Sequence, residues 1–250
     1  MAMPAGRIRI GCAGWTLPAD LQQSFPAGES HLHRYAQVFN ASEINSSFHR
    51  PHRPSTYERW ARSVGADFAF SAKLPKRMTH EARLVQPEAA LDAFFAEASG
   101  LGSQLQCVLV QLPPSLPFEA PVAEAFATAL RERYAGPVAL EPRHASWFTP
   151  EVDTWLAQQR IARVLADPVR HAAGAAPGGW PGLVYVRLHG SPRVYYSSYP
   201  QEVLEALAPR LREAAACGAE VWCIFDNTAG QAAAGNALAL QRLMDQTKGG

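Results

Sequence analysis

Val138-Ala139-Leu140-Glu141-Pro142-Arg143-His144-Ala145-Ser146-Trp147 begins as an apolar run and ends in a carboxylate, a guanidinium and an imidazole. An apolar run charged only at its C-terminal end reads as a buried parallel strand that opens onto a site. The same event recurs along the chain. Ser42 to Phe48, Asp67 to Lys73, Leu105 to Gln111, Ile161 to Asp167, Leu183 to His189 and Glu220 to Asp226 all place polar or charged groups at or near their ends. Arg7 to Gly11 alternates like a strand before Gly11 and Gly14 break it. That makes eight strand-like runs.

Helical periodicity fills most gaps between them. Leu32, Tyr35, Ala36 and Phe39 fall on one face of a helix over His31 to Phe39, and Pro54 opens the next. Further helices are expected over 87–98, 121–133, 150–158, 200–216 and 232–244, with Gly218 stopping the sixth of the seven. Pro168 to Pro181 is rich in Ala, Gly and Pro and has no helical face, so a loop is expected to replace or shrink one helix there.

Eight strands alternating with about seven helices over 250 residues match an α/β fold, a (β/α)8 TIM barrel. It is read as one domain over 1–250, with one irregular crossover between strands six and seven. An open doubly wound sheet usually has fewer strands and a glycine-rich phosphate fingerprint. Neither GxGxxG nor GxxxxGKS occurs. No cofactor is expected.

Composition narrows the function classes. Net charge is +1, which by itself points to neither nucleic acid nor membrane as partner. No apolar run is long enough to span a bilayer, and Met1 to Gly6 does not resemble a signal peptide. Cys12, Cys107, Cys217 and Cys223 lack metal spacing, and three lie in or beside apolar runs, as reduced buried thiols do. A cytoplasmic protein is expected.

Eight ordered segments carry a resemblance. They are Gly11-Cys12-Ala13-Gly14-Trp15, Glu43-Ile44-Asn45-Ser46-Ser47-Phe48, Phe70-Ser71-Ala72-Lys73, Met78-Thr79-His80, Gln111-Leu112-Pro113-Pro114, Glu141 to Trp147, Arg187-Leu188-His189-Gly190, and Asn227-Thr228-Ala229-Gly230 with Asn236-Ala237. Together they resemble the YecE-like family, a domain of unknown function. The resemblance implies a TIM-barrel fold and supplies no reaction. Against the family pattern, Leu17 and Pro18 replace an aromatic, His49 replaces Phe-Tyr, and Asp226 stands where Asn is more usual.

In such a barrel the C-terminal strand ends build the site. They bring Glu43, Asn45, Lys73, Gln111, Glu141, Arg143, Asp167, Arg187, His189, Asp226 and Asn227, with His80, His144, Trp15 and Trp147 in nearby loops. Glu43, Asn45 and Ser47 share a strand face by the period of two. The loops add Arg50, Arg53, Lys76, Arg77, Arg170 and Arg193, so cations outnumber carboxylates at this end, which points to an anionic ligand, small or phosphorylated. Glu141 is the expected acid–base group, with Lys73 and His189 beside it. Asn45, Gln111, Arg143, His144, Arg187, Asp226, Asn227, Trp15 and Trp147 are expected to hold the ligand.

Each assignment has a plainer alternative. Glu141, Arg143 and Arg187 can form a buried ion-pair network with no catalysis. Glu43 can be structural. Lys73 can form a Schiff base only if desolvation lowers its pKa, and an electrostatic role is the plainer reading. His144 and His80 can stabilise turns, and the two tryptophans can simply pack. Glu43, Glu141, His189 and Asp226 are metal-ligand types, but no HExxH motif is present and cations surround them, so no metal is expected. Three functions remain: an enzyme acting on an anionic substrate, a nucleic-acid-binding or nucleic-acid-processing barrel like those of endonuclease IV type, and a non-catalytic ligand-binding barrel.

Overall fold

A computed structural model describes residues 5–246. Most of the segment behind the signal-peptide expectation therefore lies outside the described residues. The strands are β1 (Ile8–Ala13), β2 (Ala41–Ile44), β3 (Ala69–Lys73), β4 (Leu105–Gln111), β5 (Val138–Glu141), β6 (Ile161–Arg163), β7 (Leu165–Asp167), β8 (Gly178–Gly179), β9 (Leu183–Leu188) and β10 (Glu220–Phe225). The helices are α1 (His31–Ala36), α2 (Pro54–Arg62), α3 (Glu88–Ala98), α4 (Ala120–Arg133), α5 (Pro150–Gln158), α6 (Gln201–Ala216) and α7 (Ala233–Gln246).

Sheet order is β7-β9-β10-β1-β2-β3-β4-β5-β6-β8, and every pair except β6 with β8 is parallel. The run expected as one sixth strand is split at Val164. Its first half pairs with β5 (Leu140 opposite Arg163) and its second with β9 (Leu165 opposite Val186). One stretch of chain therefore hands over from one neighbour to the next and closes the ring. The result is a TIM barrel of eight staves.

The crossover after β7 is the irregular one. It holds a short 3-10 turn, Ala172–Gly174, and the two-residue β8, which pairs antiparallel to β6. Elsewhere the local signals act as read. Thr149 caps α5 by accepting from the Val152 N–H, and Pro150 follows at the first helical turn. Gly218 follows α6 at φ 90°, a conformation that costs glycine no Cβ clash. Gly11 does not end β1 but lies inside it. A Cβ there would stand 2.0 Å from the Ala41 carbonyl, so the residue is needed for close approach to β2.

Two apolar layers result. Helix faces such as Ala123, Phe126, Ala127 and Leu130 of α4 pack against the outside of the strands. Inside the barrel, Ala41, Ala69, Ala139 and Ala162 leave room for Tyr185 and Trp222. Arg9 closes the N-terminal end, its guanidinium 5.4 Å from the Trp222 ring centre and bonded to Gln106. No helix among the described residues is long and apolar enough to cross a membrane.

Candidate functional site

Period-two alternation puts every second strand residue inside the barrel. Above the alanines this produces a polar layer instead of an apolar one. Ser71 of β3 and Tyr185 and Arg187 of β9 meet Glu43 of β2. The Tyr185 hydroxyl lies 2.9 Å from Glu43 Oε2 and 3.0 Å from Ser71 Oγ. One level higher come Lys73, Gln111, Glu141, His189 and Asp226.

Arg187 is the hub. It is fully buried and donates to Glu43 twice, at 3.0 and 2.7 Å, to Glu141 Oε2 at 2.6 Å and to Asp226 Oδ2 at 3.0 Å. Burial works against its charge, yet Glu43, Asp226 and Glu141 hold its pKa well above the ordinary arginine value. The guanidinium thus sits among three of the four groups weighed as metal ligands. Among the described residues no cluster of three or more His, Cys, Asp or Glu is arranged to hold a metal ion. Arg187, expected to hold the ligand, is enclosed by its own carboxylates with none of its side chain exposed.

Glu141, the expected acid–base group, is held in the same way. Its Oε1 accepts from Gln111 Nε2 at 3.0 Å and from Arg143 Nε and Nη2 at 3.1 and 3.0 Å, while Oε2 accepts from Arg187. Burial pushes its pKa up, but Arg187, His189 and Arg143 together hold it well below the usual carboxylate range. A carboxylate so engaged and so acidic is a poor general base. It positions cations.

His189 bridges the layer to the mouth. Its Nδ1 lies 3.0 Å from Asp226 Oδ2. Its Nε2 lies 3.3 Å from Glu141 Oε1, off the line that a hydrogen bond requires. Burial disfavours the imidazolium, but Glu141 and Asp226 raise its pKa above the ordinary value. Burial likewise raises Asp226, and Arg187 and His189 bring it down below its ordinary value. The ring lines a cleft with Glu141, Arg143, Phe148, Val169 and Arg170.

Lys73 is 5% exposed and makes none of the cluster's ion pairs; its Nζ lies 3.9 Å from the centre of the Phe48 ring. Burial first, and Arg187 second, lower its pKa to about 8 despite the three carboxylates. His80 packs edge-on against the other partner of this contact, its ring 5.0 Å from that of Phe48. Burial and the charges of Lys73 and Arg143 lower its pKa. Arg143 keeps 15% of its side chain exposed at the rim.

Other expected ligand groups are committed elsewhere. His144 caps the turn Ala145–Trp147, its Nδ1 accepting from the Ser146 N–H at 3.2 Å. Trp147 is 1% exposed, and its indole N–H donates to the Leu116 carbonyl, so it has no face free for stacking. Asn227 is fully buried and ties Asn236 Oδ1 and the Ser197 carbonyl to the loop after β10. Trp15 packs edge-on to Trp60 and Phe70. Asn45 does not continue the β2 face; the chain turns at it into a 3-10 segment, Ser46–Phe48, and its Oδ1 is buried without a partner. Ser47 instead bonds the Lys73 carbonyl at 2.7 Å.

Three contributors were not singled out from sequence. Ser71 and Tyr185 carry the same period-two signal as Lys73 and Arg187, two residues away in each strand. Tyr195 has no such signal. It sits at a left-handed φ of 69° in the loop after β9, with its ring edge-on to His189 at 5.7 Å.

Comparison with known proteins agrees with this architecture. The chain is 28% identical to UPF0759 protein YecE of Escherichia coli K12 over 174 residues, which is 66% of this chain and 61% of that protein. It is 24% identical to UPF0759 protein YunF of Bacillus subtilis over 271 residues, 95% of each. A DUF72 family crystal structure from Enterococcus faecalis superposes with a TM-score of 0.78 at 20% identity, over 96% of both chains. One from Thermotoga maritima gives 0.77 at 23%, over 95% of this chain and 99% of that one. At these identities the structural likeness shows the fold alone. The family described as protein of unknown function DUF72 matches residues 9–250, and the chain belongs to that family.

Proposed function

We propose that this barrel is an enzyme acting on a small anionic substrate, phosphate- or carboxylate-bearing, at its C-terminal mouth. The reading rests on one observation. With His189 protonated, four cations (Lys73, Arg143, Arg187 and His189) face three carboxylates (Glu43, Glu141 and Asp226), and the Lys73 ammonium takes part in none of their ion pairs. A buried cluster with one positive charge in excess favours a bound anion. Arg143 and Lys73 hold that anion. His189, oriented by Asp226 and lining the cleft, is the acid–base group, since Glu141 is saturated. Three buried free thiols, Cys12, Cys107 and Cys223, fit a reducing compartment such as the cytoplasm.

Inorganic phosphate and sulfate test the site. Either should raise the thermal midpoint by mass action, by about 2.7 kcal/mol of stability at a hundredfold excess over Kd. Arg143→Gln should remove the rise. An equal rise in that variant would place the anion elsewhere.

A polyanionic substrate such as nucleic acid is the second reading. Arg50, Lys76 and Arg77 line an exposed groove of about 360 Å³ beside Phe48. Affinity for a polyanion should fall steeply with salt, whereas a small ligand gives a shallow slope.

A further inference from the structure

The chain has 20 arginines and three lysines, Lys73, Lys76 and Lys248. Arginine therefore serves nearly every purely electrostatic need. The one property it lacks is a nucleophilic amine, because its guanidinium keeps its proton. Lys248 lies outside the described residues, and Lys76 is exposed and 3.4 Å from Glu81. Lys73 ends β3 at the barrel mouth, enclosed, with an aromatic face against its nitrogen where a carboxylate would ordinarily sit.

We infer that Lys73 is an imine-forming nucleophile, and that the substrate is a small aldehyde or ketone carrying an anionic group. This deepens the reading of the mouth as an anion site and rests on it. The neutral Nζ attacks the carbonyl carbon; a C–N bond forms and the carbonyl π pair moves to oxygen, which takes the proton released from nitrogen. The hydroxyl of this carbinolamine then takes a proton and leaves as water while the nitrogen lone pair closes the C=N bond. Overall, amine and carbonyl give imine and one water, and a proton retained on nitrogen makes it an iminium. Arg143, whose charge acts on His80 together with that of Lys73, holds the anionic group, and the enclosure of Lys73 limits return of water. The depressed lysine pKa of about 8 leaves a useful share of amine neutral near pH 7.

The test uses the full chain with sodium cyanoborohydride, which reduces an iminium to a stable secondary amine. The probes are glyoxylate, an aldehyde with a carboxylate, and glycolaldehyde, which is neutral. Peptide mapping then reads each lysine separately. Glyoxylate should label Lys73 about tenfold faster than Lys76, as expected for the one activated amine. The rate at Lys73 should reach half its maximum near pH 8. Arg143→Gln should slow glyoxylate more than it slows glycolaldehyde. Labelling spread evenly over Lys73 and Lys76, or none at Lys73, overturns the imine assignment. If phosphate still raises the melting point in that case, the anion site stands without it. Equal labelling of Lys73 by both probes keeps the imine and removes the anion preference.

Discussion

Arg187 and Glu43 form a two-point fork across the barrel interior, with Nε donating to Oε2 at 3.0 Å and Nη2 to Oε1 at 2.7 Å, both side chains fully enclosed. The fork fixes the guanidinium plane. That plane then aims Nη1 at Glu141 and shares Nη2 with Asp226. One residue thereby sets the positions of three carboxylates, two from β2 and β5 and one just after β10.

Removing the hub leaves those carboxylates buried and uncompensated. Arg187→Met should cost about 3–5 kcal/mol, measured by urea unfolding, because breaking a buried pair is worse than never having made it. Arg187→Lys should rescue little, since a single ammonium cannot reproduce the planar fork. A loss below about 1 kcal/mol in Arg187→Met, the range of exposed pairs, would mean the interior is wetter than the geometry implies.

His189 reports on the same cluster. Its raised pKa arises from Glu141 and Asp226 acting against burial. Asp226→Asn or Glu141→Gln should therefore lower the His189 pKa, read from its ring protons by NMR titration. The sign for stability follows. A group whose pKa is raised on folding stabilises fully below its unfolded value, near 6.5, and that part is lost as pH rises through the folded value. Each variant should flatten this pH dependence. A His189 pKa that stays raised in both would break the assigned coupling.

Glu141→Gln also separates structure from catalysis. Its amide cannot balance Arg187 and Arg143, so a stability loss on the order of 3 kcal/mol is expected. If Glu141 only positions cations, activity per folded molecule should fall modestly; abolished turnover in a well-folded variant would restore it as the acid–base group.

The barrel was legible because eight strand-like runs, most of them closed by polar or charged groups, alternate with helical periodicity. Lys73, Arg187 and His189 were legible as strand-end groups, while Ser71 and Tyr185, on the same faces by the period of two, were not singled out. Positions at strand ends also placed Glu141 and Asp226 at the same mouth. What such positions could not give is the partner each charge takes, since that depends on side chains converging from β2, β5, β9 and β10. Hence Arg187 and Glu141 read as ligand-facing groups when they face one another. The break at Val164 was equally hidden. An apolar run reads as one strand whether it keeps one neighbour or passes between two, as Ile161 to Asp167 does. Trp147 shares the apolar signature of packing and of stacking, and only its bond to Leu116 tells them apart.

Lys73 gives the sharpest test, because its ammonium is a cost that the fold carries. Folding lowers its pKa from 10.5 to about 8, through burial first and Arg187 second. Below pH 8 both states bind the proton, and the folded state binds it more weakly. At about 1.4 kcal/mol for each tenfold change in proton affinity, the penalty is roughly 3 kcal/mol. Between pH 8 and 10.5 the unfolded chain holds the proton that the folded chain has released, so stability rises with pH and the penalty disappears. Lys73→Met keeps the length and the contact with Phe48 and removes the charge. It should therefore be more stable than the parent at pH 7, by a margin that shrinks towards zero above pH 10. Urea unfolding of both proteins at pH 7 and pH 10 measures it. A variant less stable than the parent at pH 7 would show that the cluster needs this charge for its own balance, and Lys73 would then be structural.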